Sequence, residues 1–331
     1  MIQVLSENLA CFVARERAVV ESELRMHLPL SSLPGARRLN DALEYAVFPG
    51  GKRLRPALAL LASTLAGAAH EQSLRVACAI EFLHSSSLVL DDLPSMDDAG
   101  LRRNRRALHL VFGEGLAVLA AVALLNQSYA LLAGAARAGR ESSRAVETLV
   151  AEAARCVGAD GMVGGQALDL ETRADEGGSD ALACRDLKTV ALMRLMMTAG
   201  ALACGAHSED TRALADFGEA FGRAYQICDD LMDETYGSGV TGKPARQDAR
   251  HMRASAIATL GAAGARRFAG QLIERGIARL RERFGERDEA RLLAEAARLL
   301  LDRADAAAAS DAHTHQTSDH ALLEHTVPAF E

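Results

Sequence analysis

Carboxylates and arginines follow one another in the segment EFLHSSSLVLDDLPSMDDAGLRRNRRALH at residues 81–109. An apolar helical pattern reaches Asp91 and Asp92, passes a proline, and continues to Asp97 and to a group of arginines that begins at Arg102. The C-terminus of a helix carries partial negative charge, which disfavours carboxylates there by up to about 1 kcal/mol unless a cation lies beside them. A Mg²⁺ site with basic residues around a polyphosphate would account for both halves of the segment. The alternative is a solvated acidic turn followed by the basic start of a helix.

A second acidic cluster repeats this arrangement further along the chain. Gln226, Asp229 and Asp233 share one face of a predicted helix, and Asp230 adds to the cluster. Like charges at spacings of three and four residues repel each other unless a cation lies between them. A glycine-containing loop then leads to the basic segment KPARQD at residues 243–248. Two such clusters, each near the end of an apolar helix, favour a two-sided site for metal and anion over a solvated turn.

Further candidate residues lie outside these two clusters. The segment FPGGKRLRP places Lys52 and Arg55 on one face of a turn after two glycines, whose small size lets the backbone approach a ligand closely. His84 and Ser87 lie on the same predicted helix face as Asp91, so small and polar side chains line the approach to the carboxylates. Taken singly, each of these residues is equally compatible with a solvated or structural role.

The composition predicts an all-α protein. Ala, Leu and Arg recur at helical spacing, β-branched runs are scarce, aromatic residues make up 4% of the chain and there is no Trp. The formal charge of −7 and the pI near 5.8 argue against a nucleic-acid partner, because that role needs a basic face. The six cysteines are widely separated and form no CxxC pair, so we expect reduced thiols.

We expect a cytoplasmic protein without stable membrane insertion. The N-terminal residues lack the features of a signal peptide. The most apolar run, at residues 116–125, is shorter than the roughly 20 residues that span a bilayer, which predicts a buried core helix over residues 111–134. We predict a single domain over residues 1–309, followed by a His-rich, disordered tail at residues 310–331.

As a set, the motifs resemble those of the trans-isoprenyl diphosphate synthases, the polyprenyl synthetase family, and are most like bacterial geranylgeranyl diphosphate synthases. The matching segments occur in the family's order between residues 40 and 260. They are GKRLRP at 51–56, DDLPSMDD at 91–98, LRR at 101–103, GMVGGQALDL at 161–170, KT at 188–189, YQICDDLMD at 225–233 and GKP at 242–244.

The resemblance implies an isoprenoid-synthase-type barrel of α-helices around a central cavity, assembled as a homodimer. It also implies Mg²⁺-dependent prenyl transfer with isopentenyl diphosphate and allylic diphosphates as partners. In that reaction an allylic diphosphate ionises, isopentenyl diphosphate attacks the carbocation, and loss of a proton gives a chain that is five carbons longer.

The resemblance assigns roles to residues by position. Mg²⁺ would be held by Asp91, Asp97 and Asp229, supported by Asp92, Asp230 and Asp233. The allylic diphosphate would be bound by Arg102, Lys188 and Lys243, with Thr189 and Gln226 nearby. The diphosphate of isopentenyl diphosphate would be bound by Lys52, Arg55, His84 and Arg103.

Ser86 and Ser87 are the predicted determinants of product length. Family members that make the fifteen-carbon product often have an aromatic residue just before the first Asp pair, where this chain has serines. Small side chains would leave the cavity open, which predicts geranylgeranyl diphosphate as the product and a shorter product for Ser86→Phe. Three alternatives remain: a farnesyl diphosphate synthase, a non-catalytic regulatory partner subunit, and a class I terpene cyclase. A cyclase, however, has no need of an isopentenyl diphosphate site.

Several positions depart from the family's pattern. After LRR, the residues NRRA at 104–107 replace the usual Gly, any residue, Pro, Thr, which changes the backbone freedom of that loop. After GKP, Arg246 replaces a Gly, and Arg253 and Ser255 replace a later Lys and Thr. Arg253 would still bring a positive charge to substrate binding, without the geometry of a Lys.

Overall fold

The computed structural model describes residues 7–137, 142–171, 179–235 and 256–323. These residues form twelve helices and one small hairpin, which confirms the predicted all-α fold class. In chain order the elements are α1 (Glu7–His27), α2 (Arg37–Val47), α3 (Leu54–Leu65), α4 (His70–Asp91), β1 (Leu101–Arg102), β2 (Arg105–Arg106), α5 (Leu108–Phe112), α6 (Glu114–Arg137), α7 (Ser142–Val157), α8 (Met162–Glu171), α9 (Ser179–Cys204), α10 (Ser208–Thr235), α11 (Ala256–Phe284) and α12 (Asp288–Leu323). The predicted boundary at residue 309 between a single domain and a His-rich tail stays a prediction.

Helices α4 and α9 form the centre of the bundle. α4 packs against α3, α6 and α9, and α9 also contacts α7, α8 and α10. Apolar and small side chains occur on most sides of α4 and are buried, as expected for a helix inside a core. α1 and α2 flank α4, while α11 and α12 pack against α10. The C-terminal end of α4, which carries the first acidic cluster, is therefore held from several directions.

Two glycines allow neighbouring helices to pack closely against the part of α9 that carries Lys188. A Cβ on Gly222 of α10 would lie 2.9 Å from the Cα of Val190, and a Cβ on Gly165 of α8 would lie 2.6 Å from the backbone nitrogen of Lys188. Real Cβ atoms do not come this close to backbone, so both positions require glycine. Because Lys188 and Val190 lie in the same turn of α9, the neighbouring helices pack directly against the segment that carries Lys188.

Gln72 forms hydrogen bonds between helices at the N-terminal end of α4, opposite the acidic cluster. Its Oε1 atom accepts a hydrogen bond of 3.1 Å from the backbone N–H of Ala69, and its Nε2 donates to the carbonyl oxygens of Ala135 at 3.0 Å and Ala203 at 3.3 Å. Ala135 and Ala203 lie in the last turns of α6 and α9, where carbonyl groups lack a partner within their own helix. One buried amide thus joins the ends of three helices and fixes the position of α4 along the bundle.

Helix α6 is not the fully buried core helix that the sequence predicts. One face packs against α4, but the side chains of Val118, Leu119 and Val122 are 39%, 56% and 53% exposed. The prediction is wrong for this face because an apolar run without a polar stripe does not show which side the rest of the chain covers. An exposed apolar face of this kind indicates an interaction surface.

Three helical segments in the described ranges are long and apolar enough to cross a membrane, judged by length and composition: His70–Asp91, Glu114–Arg137 and Leu187–Cys204. The first and third bury 72% and 67% of their most apolar window within the chain, whereas Glu114–Arg137 buries 39%. The run at residues 116–125, expected to be too short to span, belongs to this longer helix. The absence of stable membrane insertion therefore stays a prediction.

Candidate active site

The carboxylates at the C-terminal end of α4 lie against cations from other parts of the chain. The Nζ atom of Lys188 in α9 is 2.8 Å from Oδ1 of Asp91. Arg102 in β1 donates to both oxygens of Asp92, with its Nε 3.0 Å from Oδ1 and 3.1 Å from Oδ2. These charge-assisted pairs compensate for the unfavourable position of two carboxylates at a helix C-terminus.

Burial governs the protonation of these two carboxyl groups. Asp91 and Asp92 are 9% and 3% exposed, and burial raises the pKa of each above its ordinary value. The opposing influence comes from Lys188 and Arg102, each of which lowers the pKa of the carboxyl that it contacts. Because loss of water favours the neutral form, any further cation at this place stabilises the charged carboxylates.

The turn after α4 brings Asp97 back to the same helix end. Its backbone N–H donates to the carbonyl oxygen of Asp91 at 2.9 Å, and the N–H of Ala99 donates to the carbonyl oxygen of Asp92 at 3.2 Å. These bonds satisfy carbonyl groups that the helix itself leaves unpaired. The charge of Asp97 raises the pKa of both Asp91 and Asp92, so Asp97 belongs to this acidic cluster.

The second acidic cluster, on α10, is linked to the first through α9. Thr189 donates from Oγ1 to Oε1 of Gln226 at 3.1 Å, and Gln226 donates from Nε2 to Oδ1 of the buried Asp230 at 3.0 Å. Thr189 directly follows Lys188, which contacts Asp91. Consecutive residues of α9 therefore contact both acidic helices, which brings the two predicted clusters to one region.

The predicted metal ligands Asp91, Asp97 and Asp229 are not assembled into a ready three-carboxylate group. Within the ranges that the structure describes, no three His, Cys, Asp or Glu side chains lie close enough together to hold a metal ion. The donors nevertheless fit Mg²⁺ in type, because this ion prefers carboxylate oxygens and completes its shell with water and phosphate. The side chain of Asp233 lies outside the described residues, and so do Lys243, Arg246, Arg253 and Ser255.

A separate cationic cluster lies near the start of α3 and the middle of α4. Nη1 of Arg55 is 3.3 Å from Nε2 of His84, and the guanidinium carbon of Arg55 is 5.5 Å from the ring centre of Tyr225 in α10. Burial lowers the pKa of Arg103, Glu81 raises it, and the charges of Arg53, Arg102 and Arg55 lower it further. Positive charge is thus concentrated here, as at a site that binds an anion.

Arg53 and Glu81 are site residues that sequence reasoning missed. The Arg53 side chain is buried, with Nη1 2.5 Å from Oε1 of Glu81 and Nε 2.8 Å from Oε1 of Glu21. A Cβ on Gly50 would overlap the Arg53 guanidinium. Gly50 therefore makes room for Arg53, while its expected close approach to a ligand stays a prediction. The basic run in GGKRLRP was the available signal, although it does not show which cation is buried.

The last helix adds another cation beside Lys52. Burial lowers the pKa of Lys52, and the charge of Arg303 in α12 lowers it further. Arg287, just before α12, donates from Nη1 to the carbonyl oxygen of Leu65 at the end of α3, with a distance of 2.9 Å. α12 therefore runs antiparallel to α3, which places Arg303 near the beginning of α3. No sequence motif singles out Arg303.

The loop after β1, whose conformation the sequence left open, is a tight hairpin turn. β1 and β2 pair in antiparallel register with Arg102 opposite Arg105, and the two residues between them, Arg103 and Asn104, have φ angles of 54° and 59°. Two consecutive left-handed residues between paired strands are typical of a type I′ turn. Asn tolerates this conformation better than most residues, so Asn104 can replace the family's usual Gly.

Ser86 and Ser87 lie on different faces of α4. Ser86 is buried and donates to the carbonyl oxygen of Ala121 in α6 at 3.0 Å, while the half-buried Ser87 donates to the carbonyl oxygen of His84 at 2.9 Å. Because each residue turns an α-helix by about 100°, Ser86 lies about 140° from Asp91 and Ser87 about 40°. The two serines therefore have different surroundings: α6 covers Ser86, and Ser87 lies on the side of the acidic cluster. Their role in product length stays a prediction.

Known proteins of one family share this combination of fold and motifs. Residues 36–285, about three quarters of the chain, match the family described as "Polyprenyl synthetase". The chain belongs to the polyprenyl synthetase family. The resemblance to trans-isoprenyl diphosphate synthases is thereby confirmed.

Relatives within the polyprenyl synthetase family differ in the product named for them. Geranylgeranyl pyrophosphate synthase 6, mitochondrial, of Arabidopsis thaliana is 36% identical over 240 residues, which cover 71% of this chain and 71% of the relative. The farnesyl diphosphate synthase of Geobacillus stearothermophilus is 36% identical over 261 residues, which cover 77% of this chain and 85% of the relative. A solved structure of an FPP/GFPP synthase from Zymomonas mobilis superimposes with a TM-score of 0.76 at 31% identity, covering 89% of this chain and 99% of that one.

The hairpin turn yields a prediction about Asn104. We expect Asn104→Val to lower the melting temperature. A β-branched residue at a positive φ is strained, which destabilises the folded state by about 1–3 kcal/mol. Asn104→Gly, which adopts this φ freely, is the matched control and should leave melting nearly unchanged. Differential scanning calorimetry of the purified variants measures both. Equal melting temperatures for the Val and Gly variants would show that the turn is not left-handed at this position.

Proposed function

We propose that the protein is a Mg²⁺-dependent prenyltransferase that condenses isopentenyl diphosphate with allylic diphosphates and releases geranylgeranyl diphosphate. The observation that carries this proposal is the presence of two cationic groups at different positions along α4. Lys188 and Arg102 adjoin the acidic end of α4, whereas Arg55 and Arg103 lie closer to its middle. Condensation of two diphosphates requires two such sites, while a cyclase acts on a single diphosphate. The names of the relatives support the same reaction.

The acidic end of α4 is the proposed site of ionisation. Breaking the carbon–oxygen bond of an allylic diphosphate requires that the charge of the leaving group be neutralised. Lys188 and Arg102 are held in place by Asp91 and Asp92, so they can donate to the leaving diphosphate with little rearrangement. Asp91, Asp97 and Asp229 would hold Mg²⁺. When bound, this ion neutralises charge that develops on the leaving diphosphate.

The second cationic group is the proposed site for isopentenyl diphosphate. Arg55 and His84 are already in contact, and Arg103 and Lys52 add positive charge from the hairpin and the loop before α3. These residues would hold the diphosphate and so orient the alkene towards the forming cation. Fixed orientation of two reactants contributes to rate without any side-chain nucleophile.

The product proposal depends on the space beside Ser87. A hydroxymethyl group on the face that carries Asp91 would obstruct a prenyl tail less than an aromatic ring would. The second candidate is a farnesyl diphosphate synthase, which the relative from Geobacillus stearothermophilus favours by its name. Product analysis separates the two candidates.

The proposed function is tested by incubating the purified chain alone with isopentenyl diphosphate, Mg²⁺ and each of the five-, ten- and fifteen-carbon allylic diphosphates. We expect a twenty-carbon product, measured by mass spectrometry after phosphatase treatment. Activity should disappear with EDTA and return with excess Mg²⁺, because the carboxylate cluster then regains its cation. A fifteen-carbon limit would establish the farnesyl alternative. A chain that incorporates no isopentenyl diphosphate would be a regulatory subunit or a cyclase, and prenyl cyclisation would identify the latter.

Product length should respond to Ser87 rather than to Ser86. We expect Ser87→Phe to shift the main product from twenty to fifteen carbons, because the ring would obstruct the tail on the side of the acidic cluster. Ser86→Phe should instead lower the melting temperature, since overpacking against Ala121 costs about 1–3 kcal/mol. Chromatography of the products and thermal melting give the two readouts. A shorter product from Ser86→Phe with unchanged melting would reverse the assignment.

The exposed face of α6 supports the further proposal of a homodimer. Leu110, Val111, Val118, Leu119 and Val122 are each at least 39% exposed along α5 and one side of α6. Apolar faces of this kind are uncommon on monomers, and burial against a second copy would remove them from water. A cytoplasmic location remains a proposal from the sequence.

The dimer proposal predicts that Leu119→Asp shifts the protein from dimer to monomer in sedimentation velocity. A carboxylate in an apolar interface would be buried without a partner, which is unfavourable for association. Leu33→Asp is the matched control, because Leu33 is 71% exposed in the loop before α2 and lies outside the α6 face. A wild-type monomer, or a Leu119→Asp variant that stays dimeric, would exclude this face as the interface.

A further inference from the structure

Two arginines with left-handed backbone conformations pair with the same buried carboxylate. Arg53 and Arg103 both have a φ of 54°, although neither is glycine. This conformation costs a non-glycine residue about 1–2 kcal/mol, and it persists where surrounding contacts fix the residue. Glu81 in α4 contacts both: its Oε1 is 2.5 Å from Nη1 of Arg53 and 3.8 Å from Nη2 of Arg103. The shared carboxylate is therefore the common feature of two strained positions.

Glu81 is suited to this role by its position and its burial. Its side chain is 3% exposed and lies three residues before His84, on a helix that is fixed in the core. The guanidinium of Arg53 also donates from Nη2 to the carbonyl oxygen of Val47 at 2.9 Å. Arg53 is thus held by the end of α2 and by α4, with Glu21 of α1 as a further partner.

The same carboxylate connects the two chain segments that supply cations to the isopentenyl diphosphate site. Arg53 directly precedes α3, whose second residue is Arg55, and Arg103 lies in the hairpin turn. A Cβ on Gly51 would lie 3.6 Å from the guanidinium carbon of Arg103, so the loop before α3 packs against the hairpin. Without a buried anion between them, the arginines would repel each other and separate.

We propose that Glu81 is a positioning residue for the isopentenyl diphosphate site, which holds Arg103 directly and Arg55 through Arg53. This inference rests on the proposed function. Glu81 would act by holding the arginines of the isopentenyl diphosphate site, without itself contacting the substrate. Loss of the carboxylate should weaken binding of isopentenyl diphosphate and spare the site at the acidic end of α4. Loss of the carboxylate should therefore raise KM for isopentenyl diphosphate and leave KM for the allylic diphosphate nearly unchanged.

The test is steady-state kinetics of the full chain with Mg²⁺, varying each substrate at saturation of the other. We expect Glu81→Gln to raise KM for isopentenyl diphosphate about tenfold or more, with KM for the allylic diphosphate changed by less than about twofold, because the two sites bind separately. Glu81→Asp keeps the charge and should restore part of the affinity. Isothermal titration with isopentenyl diphosphate should show the highest affinity for the wild type, a lower one for Glu81→Asp and the lowest for Glu81→Gln.

Glu21→Gln is the matched control, because it removes the other carboxylate that contacts Arg53. It should raise KM for isopentenyl diphosphate less than Glu81→Gln does, because it removes a partner of Arg53 and leaves the contact between Glu81 and Arg103 in place. Equal increases in this KM for Glu21→Gln and Glu81→Gln, or a parallel rise in both Michaelis constants, would overturn the inference. If Glu81→Gln does not fold, Glu81→Asp provides the test, because its shorter side chain draws the carboxylate away from the arginines. A wild-type KM for isopentenyl diphosphate in Glu81→Asp would overturn the inference. An inactive wild type would instead refute the proposed function itself.

Discussion

The pairing of buried carboxylates with cations at the C-terminal end of α4 is the interaction on which the site depends. A helix C-terminus and a desolvated surrounding both oppose negative charge, yet Asp91 and Asp92 are placed there. Lys188 from α9 and Arg102 from the hairpin compensate for this cost. The fold must therefore bring both elements to this helix end, and Gly165 and Gly222 allow α8 and α10 to pack closely around Lys188. The need for cations beside Asp91 and Asp92 thus also determines how closely α8, α9 and α10 must pack.

Helix α4 also sets the separation of the two proposed substrates. His84 belongs to the cationic group and Asp91 to the acidic cluster, and seven residues of helix separate them by roughly 10 Å. Ser87 lies between them on nearly the same face. A single rigid helix, fixed at its other end by Gln72, therefore holds both groups at a constant distance. This distance cannot change without movement of the core.

The composition predicted the helical class, and the helix period predicted that His84, Ser87 and Asp91 share a face of one helix. The family resemblance, and not the spacing, predicted that Lys188 and Arg102 lie near the acidic end of α4, because residues so far apart in the chain carry no local pattern in common. The sequence did not predict the pairing of Arg53 with Glu81, since the two are far apart in the chain and either could have been solvated. The hairpin was missed because strands of two residues have no periodic pattern. The exposed face of α6 was missed because a uniformly apolar helix gives no sign of which side is covered. Distinguishing Ser86 from Ser87 required knowing that α6 packs on α4.

A crystal structure with isopentenyl diphosphate, Mg²⁺ and a thio analogue of an allylic diphosphate that cannot ionise tests the two-site arrangement most directly. We predict two separate diphosphates in each chain. One should lie within hydrogen-bond distance of Lys188 and Arg102, and the other within that distance of Arg55 and Arg103. Binding of both diphosphates at one of these groups, or binding of either away from both groups, would contradict the arrangement.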